Sequence, residues 1–523
     1  MRTLHLLLLS GGLQTVAEVE AQRPPILWSH TYGGSNADWI GDVEPCADGG
    51  YIVAGRTISN DGDVSGNHDP LGHVPDVWLL KLDSSGVLQW QQCYGGAHID
   101  FPFRVVQMPD SGFLVVGATV SNSGDVSGWH GDVDGWVFRT DAAGEVVWQR
   151  CLGGSAEDEL WDVVVMPDGG AVLLGSTKSN DGDVSGLHGT VDDAWLVRLD
   201  ANGTLLWQRC LGNTDNDYGR AMVAGPNGTL TILADRYSSP NCPWGSYELW
   251  LFNVDSLGTS AWSTCLGGSG FDYGRALANT MDGGYLVGGA TGSIDHDAVG
   301  NHDTTGNFND AFLARVDSNG DPLWTGVFGG SQHDAFEHVL ELPDGSVRAL
   351  GWTNSADGNV TGPLGSRDLW LAELTAGGTL SAAWCYGGSG TDEGFDAELL
   401  ADGSLVIGAD CGSQNGDVQG TSGWIDHWIF KIASPDDPTA NPGMTRTENK
   451  LQIAVGSDAL EVRCAACAPG RVELLDTQGR LLCTTHGLNG QARIPAQGLP
   501  AGGYLVRWHD AQARRSVRVL LPR

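Results

Sequence analysis

The chain has 523 residues, and its 28 Lys and Arg against 64 Asp and Glu leave a formal charge of -36. A field of that sign repels nucleic acid and anionic membrane surfaces, which need basic footprints, so no nucleic-acid partner is expected. Glycine, at 77 residues, is about twice its usual share but has no three-residue period, which excludes collagen, and 20 Trp call for an apolar interior, which argues against disorder.

Residues 1–21 read as a signal peptide. Arg2 supplies a positive start, Leu4 to Leu9 a short apolar run, and Val19-Glu20-Ala21 small residues at a cleavage site. The run is too short for a stable membrane span, and no later one approaches the length a spanning helix needs, so no transmembrane anchor is expected.

One pattern fills residues 22–433. Trp28, Trp90, Trp148, Trp207, Trp262, Trp324 and Trp384 each precede a glycine-rich corner, at spacings of 55 to 62 residues. A unit that short cannot bury its own apolar face, so the units must stack. The second shows four strand-like stretches: Val87 to Tyr94, Phe103 to Gln107, Phe113 to Ala118 and Trp136 to Thr140. Hairpin signals stand at Pro109-Asp110-Ser111-Gly112 and Asp141 to Gly144. Four short strands repeated seven times predict an all-β, seven-bladed β-propeller rather than an open solenoid, which needs caps. The last copy lacks a fourth strand, and the unpaired Leu27 to Tyr32 segment is expected to supply it.

Repeated residues point to scaffold work. Trp78, Trp136, Trp195, Trp250, Phe312, Trp370 and Trp428 form a second aromatic series suited to packing. Asp38, Asp100, Asp158, Asp217, Asp272, Asp334 and Asp392 follow the glycine corners and are expected to cap backbone N–H groups there. Cys93, Cys151, Cys210, Cys265 and Cys385 share one register, too far apart around a ring to bridge each other, and read as small buried side chains. Cys46, Cys242 and Cys411 fall in turns or loops and are candidate exceptions.

The long loop between the second and third strands is acidic. It runs Ser59 to Gly66, Ser121 to Gly128, Ser179 to Gly186, Ser293 to Gly300, Ser355 to Gly362 and Gly412 to Gly420, while the fourth copy departs at Ser238-Ser239-Pro240-Asn241-Cys242. Asp61 with Asp63, Asp181 with Asp183, and Asp295 with Asp297 place oxygen ligands two residues apart around a glycine, a candidate Ca²⁺ arrangement that needs further oxygens to reach six to eight. Asx-rich turns are the competing reading. His68, His130, His188 and His302 follow the loops, as nitrogen ligands or as hydrogen-bonding residues. No nucleophile elbow, His-Glu-x-x-His motif or phosphate loop is present.

Composition changes at Ser434-Pro435 through Asn441-Pro442-Gly443, a linker over 434–444. Residues 444–523 hold 11 basic against 6 acidic residues and short β-like stretches, expected to form a small β-sandwich over 445–523. Leu475-Asp476-Thr477-Gln478-Gly479-Arg480, Leu499-Pro500-Ala501-Gly502-Gly503-Tyr504-Leu505-Val506 and Val517-Arg518-Val519-Leu520 occur there in order, after Asn449 and Leu451-Gln452-Ile453. This tail resembles the C-terminal sorting domains of the type IX secretion system of Bacteroidota. The resemblance implies Sec export to the periplasm, transfer by the type IX secretion machinery, and a secreted or outer-cell-surface location. The sequence expectation is a noncatalytic binding or adhesion protein for glycan, surface protein or cation; the alternative is a secreted polysaccharide hydrolase or lyase using propeller-face carboxylates.

Overall fold

The computed structural model describes residues 23–434, except 70, 226, 227, 240, 241, 256, 257 and 304–306, and seven strands between Gln452 and Leu521. Residues 1–21 and nearly all of the predicted linker lie outside the described residues. The chain divides into two compact units, Met1–Asp436 and Asp437–Arg523.

In the first unit the hydrophobic runs form seven antiparallel four-stranded sheets. Blade 1 is Asp38–Pro45, Tyr51–Thr57, Asp76–Leu82 and Leu88–Tyr94, from the axis outward, and blades 2 to 6 repeat it. Blade 7 takes Asp392–Leu399, Leu405–Cys411 and Asp426–Ile432 from the chain's last repeat. Its outer strand is Ile26–Tyr32 from the other end of the repeats, paired antiparallel with Asp426–Ile432. The unit is therefore a closed seven-bladed β-propeller, as the missing fourth strand predicts.

Each seam between blades holds its own hydrophobic core. Trp195 packs with Leu114 and Val116 of the preceding blade, Trp370 with Leu286 and Leu313, and Trp428 with Leu369 and Leu371; similar clusters occupy the other four seams. Six of the seven aromatics in this series are at most 1% exposed, and Trp250 is 8% exposed. Truncating Trp195 to Ala should cost about 3–5 kcal/mol, measured by urea unfolding, because both sheets lose a filler they cannot replace. The outer-strand Trp series closes the seams further out. Trp28 lies against Gly86, Trp148 against Gly203 and Trp262 against Gly320, where a Cβ would come within 2.4–2.7 Å of the indole. These glycines also sit at φ 76 to 84°, a region L side chains avoid.

The buried aspartate at the start of each inner strand caps the glycine corner in all seven blades. Asp38 accepts from Gly34 N at 2.8 Å, and Asp100, Asp158, Asp217, Asp272, Asp334 and Asp392 do the same at 2.7–2.8 Å. Thr57 and Ser59 also donate to Asp38. Blade 4, the divergent copy, substitutes Arg236, whose Nε is 2.7 Å from Asp217.

Cysteine placement differs from expectation in two blades. Cys265 is not a lone buried thiol: it is bridged to Cys242, with Cα atoms 5.5 Å apart. The divergent repeat has replaced its acidic loop by extending a hairpin, Leu230–Ser239 with Cys242–Val254, which carries Cys242 toward the outer strand. Cys411 likewise ends a strand rather than lying in a loop. Cys93, Cys151, Cys210 and Cys385 are free and buried.

The second unit contains two antiparallel sheets. One joins Gln452–Val455, Ala459–Arg463 and Gln491–Pro495; the other joins Leu481–Gly487, Gly470–Leu475, Gly502–His509 and Arg514–Leu521. Among the described residues no helix is long and apolar enough to cross a membrane.

Candidate functional site

The acidic loops fold back onto the glycine corners. Asp61 Oδ1 accepts from Ser35 N at 2.7 Å, Asp181 from Ser155 N at 2.8 Å and Asp295 from Ser269 N at 2.7 Å. Asp63 Oδ2 accepts from Gly33 N at 3.3 Å. The backbone N–H groups of Asp183 and Asp297 donate to the carbonyls of Gly153 and Gly267. Each loop is thus anchored by an Asx-type contact, and the six residues of the candidate Ca²⁺ set are distributed over blades 1, 3 and 5. The histidines that follow are hydrogen-bonding residues: Nδ1 of His68, His130, His188 and His302 lies 2.6–2.8 Å from Asp76, Asp134, Asp193 and Asp310.

The inner strands converge on a channel of about 610 Å³. Every inner strand shifts register at the same place, between its third and fifth residues, as at Ile40/Asp42 and Phe336/His338. A bulge adds a residue and breaks the period-two alternation of side chains. The fourth and fifth residues therefore both reach the channel side, and most of them line the cavity.

What they present does not repeat. The fourth residues are Gly41, Phe103, Trp161, Arg220, Arg275, Glu337 and Phe395; the fifth are Asp42, Arg104, Asp162, Ala221, Ala276, His338 and Asp396. An aromatic and guanidinium ladder runs along blades 1 to 4. Arg56 lies over Trp39 at 4.8 Å, Phe103 stacks on Trp161 at 3.9 Å, and Arg220 lies 5.2 Å from both Trp161 and Tyr218. Burial lowers the Arg56 pKa, and this guanidinium has no ion-pair partner among the described residues.

Further along the same inner strands, and joined by blades 6 and 7, stands a charged cluster. Arg104 Nη1 is 3.1 Å from Asp42 Oδ1 and 4.0 Å from Asp396 Oδ1, and its Nε is 3.7 Å from Asp162. His338 Nε2 is 3.3 Å from Asp396 Oδ1. Burial raises Asp42 well above the ordinary carboxylate range, although Arg104 opposes it. Burial also acts to raise Asp396, but His338 and Arg104, with hydrogen bonds from Asp42 and Val43 N, together outweigh it and leave that carboxyl low. Burial pushes Glu44 up to about 7 and Glu398 to about 8. Two neighbouring carboxyls with opposite preferences can hold and accept a proton side by side. Part of this cluster also holds the ring together: Asp42 Oδ2 accepts from Val105 N at 2.7 Å, Asp162 Oδ2 from Met222 N at 2.6 Å and Asp396 Oδ2 from Val43 N at 3.1 Å.

None of the channel residues belongs to the candidate set read from sequence. The available signal was the residue four after each capping aspartate, which reads Asp, Arg, Asp, Ala, Ala, His, Asp around the ring.

These features define the class as a seven-bladed β-propeller with a chemically asymmetric channel. No family model matches the chain. It is 25% identical over 391 residues to the Regulatory protein FlaEY of Caulobacter vibrioides, a match covering 66% of this chain and 40% of that protein. The chain thus matches less than half the length of that relative. Among solved structures, the Neurospora crassa Pan2 WD40 domain has a TM-score of 0.45 at 8% identity, over 79% of this chain and 96% of that one. Puromycin hydrolase has 0.42 at 15% identity, over 83% and 61%.

Proposed function

We propose that the protein is an exported, cell-surface or secreted binding protein that holds a saccharide in the propeller channel. The observation that carries this reading is the channel's departure from sevenfold repetition. Seven capping aspartates recur because a turn needs them, whereas aromatic, guanidinium and carboxylate groups that differ from blade to blade suit an asymmetric ligand. Aromatic side chains offer an apolar contact for sugar C–H groups, and the Arg56 fork supplies directed donors for hydroxyls or a sugar carboxylate. The tail motifs support a type IX sorting domain built as a small β-sandwich, hence delivery by that machinery after Sec export. Ca²⁺ in the acidic loops is compatible with this reading but not required by it.

The test is a saccharide panel against the purified full chain, followed by calorimetry on any hit. Arg56→Ala should weaken binding at least about tenfold, the loss of roughly one charge-assisted hydrogen bond, while Asp61→Asn leaves it unchanged. Saturable binding that survives Arg56→Ala and Trp161→Ala would place the ligand elsewhere and end the channel reading. A hydrolase or lyase is the second reading, favoured by the Asp42 and Asp396 pair; in the same panel it appears as chain cleavage.

A further inference from the structure

The charged end of the channel contains three donors arranged for one ion. Asp396 and Glu398 lie two apart on the inner strand of blade 7, so their side chains share the channel face. His338 stands at the register position of Asp396 on the neighbouring inner strand. One donor atom from each of His338, Asp396 and Glu398 falls within 4.8 Å of the other two. Donors 2.0–2.2 Å from a shared tetrahedral ion stand roughly 3.3–3.6 Å apart, so side-chain rotations of about an ångström close the three onto one centre.

A second observation comes from hydrogen bonding. The Asp396 side chain is only 3% exposed; Oδ2 is held by Val43 N, and Oδ1 accepts no hydrogen bond from an amide, hydroxyl, guanidinium or imidazole among the described residues, with the Asp42 carboxyl beside it. A buried carboxylate oxygen without a donor is costly unless a positive centre faces it. His338 lies nearest, at 3.3 Å, while Arg104 reaches only 4.0 Å and is drawn instead toward Asp42 at 3.1 Å. Asp42, Glu44, Asp162, Asp396 and Glu398 bring five carboxyls to this end against one guanidinium and one imidazole.

We propose that His338 Nε2, Asp396 Oδ1 and the Glu398 carboxylate bind one Zn²⁺ at the charged end of the channel, leaving a fourth coordination position for water. One imidazole with two carboxylates matches the mixed nitrogen and oxygen donors zinc takes, whereas Ca²⁺ prefers six to eight oxygens. The site is separate from the acidic loops, and it stands whether or not the channel binds saccharide.

The experiment titrates the chelator-treated full chain with Zn²⁺ by calorimetry, and with Co²⁺ by its visible d–d absorption. One ion per chain is expected. Glu398→Gln, which keeps side-chain size, and His338→Ala should each weaken affinity at least about 100-fold, with near-native circular dichroism for Glu398→Gln as the folding control. Asp181→Asn should leave both titrations unchanged. The other compact donor group among the described residues, Cys242, Glu248 and Cys265, contains the disulfide; a sulfur-to-cobalt charge-transfer band would place the ion on cysteine thiolates and overturn the proposal. So would the lack of a saturable signal, or binding that Glu398→Gln does not alter.

Discussion

Deleting residues 23–32 should abolish the cooperative unfolding transition of the propeller. The segment contributes a whole strand, with Ile26 opposite Ile432 and Tyr32 opposite His427. Its loss would leave blade 7 with three strands and expose the edge of Asp426–Ile432. It also carries contacts beyond the ladder. Arg23 makes a paired contact with Asp417 at 2.7 Å, Tyr386 donates to Pro24 O at 2.8 Å, and the Trp428 indole donates to Ser29 Oγ at 2.8 Å. Tyr32 donates across the next seam to Gly86 O. At roughly 1 kcal/mol for each net hydrogen bond, with the burial of Ile26, Trp28 and Tyr32 added, the loss is comparable to the ~5–15 kcal/mol that holds a whole domain together.

Thermal and urea melts followed by Trp fluorescence would read this directly. A synthetic peptide of residues 23–32 added in trans should restore a cooperative melt in proportion to its concentration. A truncated chain that melts as sharply and as late as the intact one would show that the ring does not depend on its first strand.

The closure was legible because it follows from counting: six complete units and one that lacks a strand leave a single unpaired β segment. The capping aspartates were legible for a related reason. A residue that returns after every glycine corner does the same local work each time, and local work is what sequence spacing encodes. The channel was not legible, because a bulge in each inner strand changes which side chains share a face. Read with strict alternation, Phe103 and Arg104 belong to opposite faces; the extra residue brings both to the channel. Functional asymmetry also hides in a repeat, since His338 and Arg104 look like ordinary drift when copies are compared for what they share. The blade 4 bridge was legible at one end: Cys242 stood out in the copy that abandoned the common loop, whereas Cys265 looked like its unbridged counterparts in the other blades.

Mild acid should stabilise this propeller. Burial raises the carboxyls of Asp38, Asp100, Asp134, Asp272 and Asp310 from 3.8 to about 6, despite the hydroxyl, backbone or histidine donors that oppose the rise. In the unfolded chain they return to ordinary values, so between about pH 4 and pH 6 the folded form binds more protons. Stability from these groups is therefore complete below about pH 4 and is lost as pH rises through about 6. Each displacement corresponds to roughly 3 kcal/mol, an upper figure because the shifted groups interact. Other carboxylates set the lower limit. Lys81 holds Asp48 low, Arg198 holds Asp168 low, and Ser404 with other partners holds Asp402 at about 2. Their contribution is present above the ordinary carboxylate range and disappears as pH falls below it. The two groups place maximal stability near about pH 4 to 5, below the usual neutral optimum. Melting temperatures across about pH 3.5 to 8 should trace that maximum, and Asp100→Asn should flatten its neutral side by removing one ionisation from the buried corner. A melting temperature that climbs steadily from about pH 4.5 to pH 7 would mean the corner aspartates are ionised in the folded ring at no cost, with their donors fully replacing water.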